Sequence, residues 1–152
     1  MRAWRLILMA WTCALSVGAV AAETAAPAGM IKTLRGKVSV ERAGEQQPAA
    51  LGMAVFSGDR LRTGSESSVG ITLRDDTRLT AGPESDLLIS DFRFDTTTHQ
   101  GNLLVSMLKG VFNVITGLIA KQNPKDADFT TPTLSLGIRG TEFIVEVDGG
   151  RP

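Results

Sequence analysis

Hydrophobic and polar residues alternate along most of the chain, which is the pattern of half-buried β-strands. In "KVSVER", Val38 and Val40 fall on one face and the polar residues between them fall on the other. In "SDLLISDFRFD", Leu87 pairs with Ile89 in one register, and Leu88 would take the inner face in the alternative register. Turn residues recur about every eight to twelve positions, a spacing typical of sandwiches, barrels and solenoids. We therefore predict an all-β fold of short antiparallel strands in one solenoid-like or sandwich-like domain.

Tight turns are predicted where glycine and aspartate interrupt the alternation. Gly58 and Asp59 precede one very short strand, and Gly64 follows it. Asp75 and Asp76 separate two alternating runs, and aspartate tolerates the positive φ that tight turns require. Asp75 and Asp76 are therefore expected to form the turn of a β-hairpin.

The segment "GNLLVSMLKGVFNVITGLIAKQNP" also fits one face of a helix. Against a helix, Gly110 and Gly117 each cost about 1 kcal/mol relative to alanine. The residues between them are mostly β-branched or aromatic, which favours strands. We predict two short strands that meet near Lys109 and Gly110, followed by at most one short helical turn near 117–122.

The first 22 residues have the features of a secretory signal peptide. Arg2 and Arg5 precede a long apolar run, and small residues follow it. Cleavage is predicted after Ala22, with Ala21 as the alternative. The apolar run is shorter than the roughly 20 residues that cross a bilayer, so an uncleaved anchor is less consistent with it. We expect export to the periplasm, with an extracellular location left open, and no transmembrane segment after cleavage.

Removal of residues 1–22 changes the chemistry available to the chain. The single cysteine, Cys13, leaves with them, so the processed chain has neither a thiol nor a disulfide. The remaining 14 basic and 16 acidic residues give a net charge of −2, which does not favour nucleic acid as a partner. Residues 23–30 read as a flexible lead-in, residues 31–148 as one domain, and residues 149–152 as a C-terminal tail.

Candidate catalytic and metal-binding side chains are few. The single histidine, His99, lies in the polar stretch "DTTTHQGN", which predicts an exposed loop. No serine has the Gly-x-Ser-x-Gly context of a nucleophile elbow, and a zinc site would need further ligands. We therefore predict no catalytic residue, no cofactor and no metal ligand.

Acidic pairs leave two alternatives open: a module that binds calcium or carbohydrate, and a hydrolase that uses carboxylates. The pairs are Asp75 with Asp76, Asp91 with Asp95, and Asp126 with Asp128. None has the spacing of a twelve-residue calcium loop. All three are expected in turns, where aspartate side chains bond to nearby backbone.

Several short motifs follow one another in a recognisable order. They are Gly58, Asp59, Thr63 and Gly64; Pro83 and Ser85; Lys109 and Gly110; Thr131 and Pro132; and Gly137, Arg139, Gly140 and Thr141. This order resembles the FecR domain family, named after the periplasmic part of a ferric-citrate transport regulator. The resemblance covers about residues 31 to 147. It departs from the family at Asp75 and Asp76, where the family usually has Asp-Gly.

The resemblance implies a non-catalytic, all-β module of the cell envelope that offers a surface for protein contact. Its expected partner is another envelope protein, such as the signalling part of a transporter. Longer relatives continue beyond "DGGRP", so this chain is not expected to carry a signal across the membrane by itself. A homo-oligomer stays open, because exposed strands can pair edge to edge.

The motif Gly-x-Arg-Gly-Thr lies between two apolar alternating runs, 134–138 and 143–147. Gly137 and Gly140 are expected to let the chain turn between these strands or to let another strand approach closely, because glycine adopts conformations that other residues avoid. The hydroxyl of Thr141 can bond back to the turn.

Arg139 has two expected roles. We favour an internal one, in which its guanidinium holds the turn through carbonyls or through an acid such as Glu142 or Asp59. In the alternative, Arg139 reaches outward to a carboxylate of a partner.

Overall fold

The structure is a computed structural model that describes residues 25–138 and 140–149. The predicted signal peptide, the start of the lead-in, Arg139 and the last residues of the tail lie outside the described residues. The strands are β1 (Gly29–Arg35), β2 (Val38–Arg42), β3 (Glu45–Pro48), β4 (Ala54–Val55), β5 (Arg60–Thr63), β6 (Ser68–Leu73), β7 (Arg78–Ala81), β8 (Asp86–Phe94), β9 (Gly101–Ile115), β10 (Ala127–Thr130), β11 (Ser135–Leu136) and β12 (Glu142–Val147). The all-β prediction is confirmed.

The strands form one curled sheet, like a half-barrel, with two wings that share β9. The first wing has the order β4-β1-β6-β7-β9-β12, and the second has the order β3-β2-β5-β8-β9-β10-β11. Neighbouring strands are antiparallel except for β10, which runs parallel to β9. The parallel pair is a departure from the expected antiparallel order. It arises because a helical connection separates the two strands.

Strand β9 is a single strand of 15 residues, so the prediction of two separate short strands is wrong. Its first part pairs with β8, with Lys109 opposite Asp86. Its second part pairs with β7 and β12, with Gly110 opposite Val147. The position singled out by the sequence is therefore where β9 passes from one wing to the other, next to a register shift in its pairing with β8.

The core lies between the two wings and is filled by the apolar residues of the alternating runs. Val38 and Val40 are buried as predicted. Leu87 and Ile89 are buried while Leu88 is half-buried, which confirms the first of the two registers. Val105 of β9 has no exposed surface, as expected for a central strand.

The connection after β9 contains a short helix, α1 (Leu118–Gln122), followed by a 3-10 turn (Pro124–Asp126). This α1 matches the short helical turn predicted near 117–122. The hairpin between β6 and β7 is also confirmed, with Asp76 at a φ of 67°. Within residues 25–138 and 140–149, the longest apolar helix falls short of what a membrane crossing needs.

Candidate functional site

Six motif residues lie at corners where the chain crosses from one wing to the other: Thr63, Gly64, Pro83, Ser85, Lys109 and Gly110. The corners join β1 to β2, β5 to β6, and β7 to β8, and a further corner is the bend of β9 at Gly110. We call this row of corners the corner seam. Backbone bonds link its members: Gly64 N donates to Lys37 O at 2.9 Å, Glu84 N to Gly64 O at 3.0 Å, and Gly82 N to Val111 O at 2.9 Å. The corners therefore support one another in a continuous row.

Thr63 and Ser85 are two of the buried polar residues of the corner seam. Thr63 Oγ1 donates to Gly82 O at 2.6 Å and accepts from Ser85 N at 2.8 Å. Thr63 N also donates to Ser85 O at 2.9 Å. Because the Thr63 hydroxyl both donates and accepts inside the fold, these motif residues have a structural role.

Gly110 packs directly against Ser85. Its φ of 106° lies where side chains are strained, and a Cβ added there would lie 2.6 Å from Ser85 Cα. Two separate constraints therefore require glycine at this position: the positive φ of the backbone, and the lack of room for a side chain beside Ser85. Its neighbour Lys109 packs its methylene groups close to Gly149.

Asp59 has no exposed surface and lies at the centre of a second group of hydrogen-bonded residues. Arg42 donates to its carboxylate from Nε at 2.8 Å and from Nη2 at 2.6 Å, and Phe56 N donates at 2.9 Å. Arg42 also donates to Ala54 O at 3.1 Å and lies 4.5 Å above the Phe56 ring centroid. The hydrogen bond from Arg42 to Asp59 raises the pKa of the guanidinium above its ordinary value. Gly58 precedes this centre with a φ of 90°.

Sequence reasoning did not single out Arg42, although it completes the site of Asp59. Arg42 lies 17 positions before Asp59 and ends β2, whereas Asp59 directly precedes β5. The available signal was weak: an arginine ends an alternating run whose inner face is apolar. Only the pairing of β2 with β5 brings the two residues together.

Thr131 and Pro132 form a tight turn between β10 and β11. Thr131 N donates to Leu134 O at 2.7 Å, and Leu134 N donates to Thr131 Oγ1 at 3.0 Å. Pro132 occupies the second position of this turn, where its fixed φ is favourable. These two motif residues therefore position β11 beside β10.

Gly137 and Gly140 stand between β11 and β12, which lie in different wings and do not pair with each other in the described part of the chain. Strand β11 pairs with β10, and β12 pairs with β9. Gly140 has a φ of 113°, which fits the expected conformational role, while a Cβ at Gly137 would meet open space. The carbonyl of Thr141 accepts from Thr116 N at 2.8 Å. A bond from the Thr141 hydroxyl stays a prediction.

Both expected roles of Arg139 stay predictions, because this residue lies outside the described ones. The two acids expected to hold it have other partners. Asp59 is bound by Arg42, and Glu142 Oε1 accepts from Asn113 Nδ2 at 3.2 Å.

The first acidic pair, Asp75 and Asp76, lies in the hairpin between β6 and β7. Asp75 is fully buried and accepts from Thr77 Oγ1 at 2.7 Å and from Thr77 N at 3.1 Å. Its backbone carbonyl accepts from Leu118 N at 2.6 Å, which attaches α1 to the hairpin. The pattern Asp-x-Thr was the signal that could have identified this turn, since such side chains bond two residues onward.

The pair Asp91 and Asp95 divides between a strand and a loop. Asp91 lies inside β8, so its expected turn position is wrong, and it accepts from Asn102 Nδ2 at 3.0 Å. Asp95 lies in the loop and accepts from Thr97 N at 2.8 Å. That bond, helped by Thr98 N and the nearby His99, holds the pKa of Asp95 below its ordinary value.

His99 and the last acidic pair are close to the surface. His99 is exposed, as predicted, and its ring stacks on Phe94 at 6.1 Å between centroids. Asp126 accepts from Asn123 Nδ2 at 3.0 Å in the 3-10 turn, whereas Asp128 is exposed in β10 and not in a turn. Within the described ranges, 25–138 and 140–149, no three His, Cys, Asp or Glu residues converge as metal ligands.

The family pattern described as FecR protein matches residues 59–152. The chain belongs to the FecR family. The match includes the corner seam from Thr63 onward, Asp59, and the crossing that contains Gly140. FecR-family proteins are regulatory and non-catalytic.

Among solved structures, the FecR-family chain is similar to one described as "Cell surface anchoring domain". The two are 32% identical over 41% of this chain and 83% of that chain, with a TM-score of 0.39. No curated protein matches the chain.

Proposed function

We propose that this FecR-family chain is an exported, non-catalytic adaptor module of the cell envelope that acts by binding another protein. One observation supports the proposal: polar residues of the family motifs form hydrogen bonds inside the fold. Asp59, Thr63 and Ser85 are buried and bonded to neighbouring parts of the same chain. These residues therefore support a scaffold, and contact with a partner is left to the outer faces and edges of the sheet.

An envelope location is supported by the family and by the sequence of residues 1–22. FecR domains are associated with the envelope. With cleavage after Ala22, the processed protein would begin at Glu23. N-terminal sequencing of protein recovered from the periplasmic fraction tests this point, and an intact Met1 on that protein would contradict it.

The calcium and hydrolase alternatives draw little support from the acidic residues. The Asp75 carboxylate accepts a hydrogen bond from Thr77, and the Asp91 carboxylate accepts one from Asn102. The Asp95 carboxylate accepts hydrogen bonds from backbone N–H groups. Carboxylates that accept local bonds at separate places do not form the converging pair that acid–base chemistry requires. We therefore keep protein binding as the proposed function.

A carbohydrate ligand remains the second candidate because of one surface feature. A cavity of about 670 Å³ lies beside the corner seam, and its lining includes Ser39, Gln46, Gln47 and Arg62. Amide and hydroxyl groups of this kind bind sugar hydroxyls. A melting temperature that rises with envelope glycans, and no longer does so in Gln47→Ala, would favour this candidate over protein binding.

Capture from envelope extract after chemical crosslinking tests the adaptor role. Three baits are compared: the native sequence, Arg62→Glu on the outer face of the second wing, and Ile144→Arg on the outer face of the first wing. Both side chains are more than a third exposed. Because Arg62→Glu also removes the bridges to Glu41 and Asp86, circular dichroism of both variants confirms the fold before capture. We expect one protein to be captured by the native bait and lost from one variant only. Capture no greater than that by heat-unfolded bait would contradict the proposal.

A further inference from the structure

The half-barrel is open at the end formed by β11 and β12. Within the described part of the chain, β11 pairs with β10 alone and β12 pairs with β9 alone, so each is an edge strand. A cavity of about 340 Å³ lies between them, lined in part by Leu134, Leu136, Val145 and Val147. Leu134 is 63% exposed, although a large apolar side chain is usually covered. We call this cavity the edge cleft.

The outer side of β12 continues this surface with a different chemistry. Glu142, Ile144 and Glu146 alternate with the half-buried Phe143, Val145 and Val147. Val145 and Val147 line the edge cleft, and Glu146 borders it. Ile144 is 71% exposed, and Val111 on the neighbouring β9 is 43% exposed. The strand therefore has an apolar inner side and an outer side where carboxylates flank an isoleucine.

We propose that the edge of β12 binds an extended strand of a partner protein in which apolar side chains alternate with basic ones. This proposal rests on the adaptor role and names the partner surface for it. The unpaired N–H and C=O groups of an edge strand are a template for an added strand. Apolar side chains of that strand would cover the edge cleft, and basic side chains would lie beside Glu142 and Glu146.

Charge argues against a second copy of this chain as the occupant. Suppose that two β12 strands pair antiparallel with their apolar sides on the same face of the sheet. Two registers then give the longest overlap. Centred on Ile144, the pairing sets Glu142 opposite Glu146 of the other copy. Centred on Val145, it sets Glu142 opposite Asp148. Like charges directly opposite are destabilising, whereas lysine or arginine at those places would be favourable.

Peptide binding to the purified protein, expressed from its full sequence, tests the proposal. The probe is a fluorescent peptide of alternating valine and lysine, compared with a valine–glutamate peptide of equal length. We expect the lysine peptide to bind about tenfold or more tightly than the glutamate peptide, and to lose affinity as salt increases. Amide NMR shifts should change along β12 and β11.

Two exposed glutamates on edge strands provide matched variants. Glu146→Lys on β12 should weaken binding of the lysine peptide about tenfold, since opposite charge at an interface edge is replaced by repulsion. Glu45→Lys on β3, at the other end of the sheet, should leave binding unchanged. Equal loss in both variants, or no binding of either peptide, would overturn the proposal.

Two further measurements separate this inference from the adaptor role and from self-association. A concentration-dependent dimer in sedimentation that is lost in Ile144→Arg would assign the edge to a second copy and overturn the proposal. If the Glu146→Lys and Ile144→Arg baits capture an envelope partner as well as the native bait does, the adaptor role is supported. The binding surface for that partner then lies elsewhere on the protein. Peptide binding without any envelope partner would count against the adaptor role and leave the edge inference standing.

Discussion

At the scale of single residues, the polar signature of the chain is a set of internal acceptors and donors. Asp59 and Asp75 are both fully buried, and a buried carboxylate is costly unless hydrogen bonds compensate it. Arg42 supplies that compensation for Asp59, and Thr77 supplies it for Asp75. The two acids differ in kind: the first is paired with a charge, and the second accepts only neutral donors among the described residues.

Arg42→Ala should destabilise the fold by about 3 kcal/mol, because it leaves the Asp59 carboxylate buried without its charge partner. We place the cost at the lower end of the range for a broken buried pair. The Arg42 side chain is 37% exposed, so water can enter the space that it leaves. Urea unfolding followed by circular dichroism measures the change.

Arg62→Ala is the matched control for this prediction. Arg62 bridges to Glu41, and both of these side chains are more than a third exposed. Its longer contact with Asp86, at 3.6 Å, is to a carboxylate that Arg60 also holds. Such surface pairs contribute about 1 kcal/mol or less. Unfolding of both alanine variants at the same urea concentration would contradict a larger contribution from the buried charge pair than from the surface pair.

At the scale of secondary-structure elements, β9 organises the molecule, and its bend depends on one glycine. Gly110 combines a positive φ with close contact to Ser85. Gly140 has a similar φ, 113°, but a Cβ there would meet nothing within 4 Å. The two positions therefore separate the cost of backbone strain from the cost of crowding.

Gly110→Ala is expected to be clearly more destabilising than Gly140→Ala. Backbone strain should cost about 1–3 kcal/mol in each variant. Crowding against Ser85 should add about 1–3 kcal/mol in Gly110→Ala alone. Thermal and urea unfolding of both variants check the difference. Equal stability of the two would show that Ser85 moves aside at little cost.

The sequence was sufficient for features that depend on near neighbours in the chain. Alternation predicted which residues of β2 and β8 face the core, and Asp75-Asp76 predicted the hairpin. Features set by distant pairing were not predictable in this way. The continuity of β9 depends on partners before and after it, and the parallel pair Ala127 with Leu103 depends on the connection between them.

The site showed the same division between local and distant causes. The strained Gly140 follows from local chemistry and was expected. The Thr131-Pro132 turn is also local, although these two residues were noted only as a motif. The Arg42–Asp59 pair requires β2 to lie beside β5, and the attachment of α1 to Asp75 requires contact with Leu118, 43 positions later. No local pattern contains that information.

At the scale of the whole molecule, the two ends of the half-barrel differ. At one end, the connection between β3 and β4 is bonded to both wings: Ala49 N donates to Val38 O, and Gly52 N donates to Ile31 O, each at 2.9 Å. That connection covers the end. At the other end, β11 and β12 leave the edge cleft between them. Among the described residues, one end of the sheet is therefore crossed by a bonded connection, and the other end has the edge cleft.

Hydrogen exchange should reveal this asymmetry, because protection follows local stability and pairing. Amides in the first part of β9, around Val105 and Met107, should exchange slowest, since they are buried between strands on both sides. Amides of β12 should alternate, because successive N–H groups of an antiparallel edge strand point toward and away from its single neighbour.

The alternation is the decisive part of the exchange experiment. Those β12 amides that point away from β9 should exchange at rates close to those of an exposed loop, and the valine–lysine peptide should slow them selectively. Even protection along Glu142–Val147 in the free protein would mean that another segment or another copy already covers this edge. Dilution then distinguishes the two, because only a second copy dissociates as the protein concentration falls.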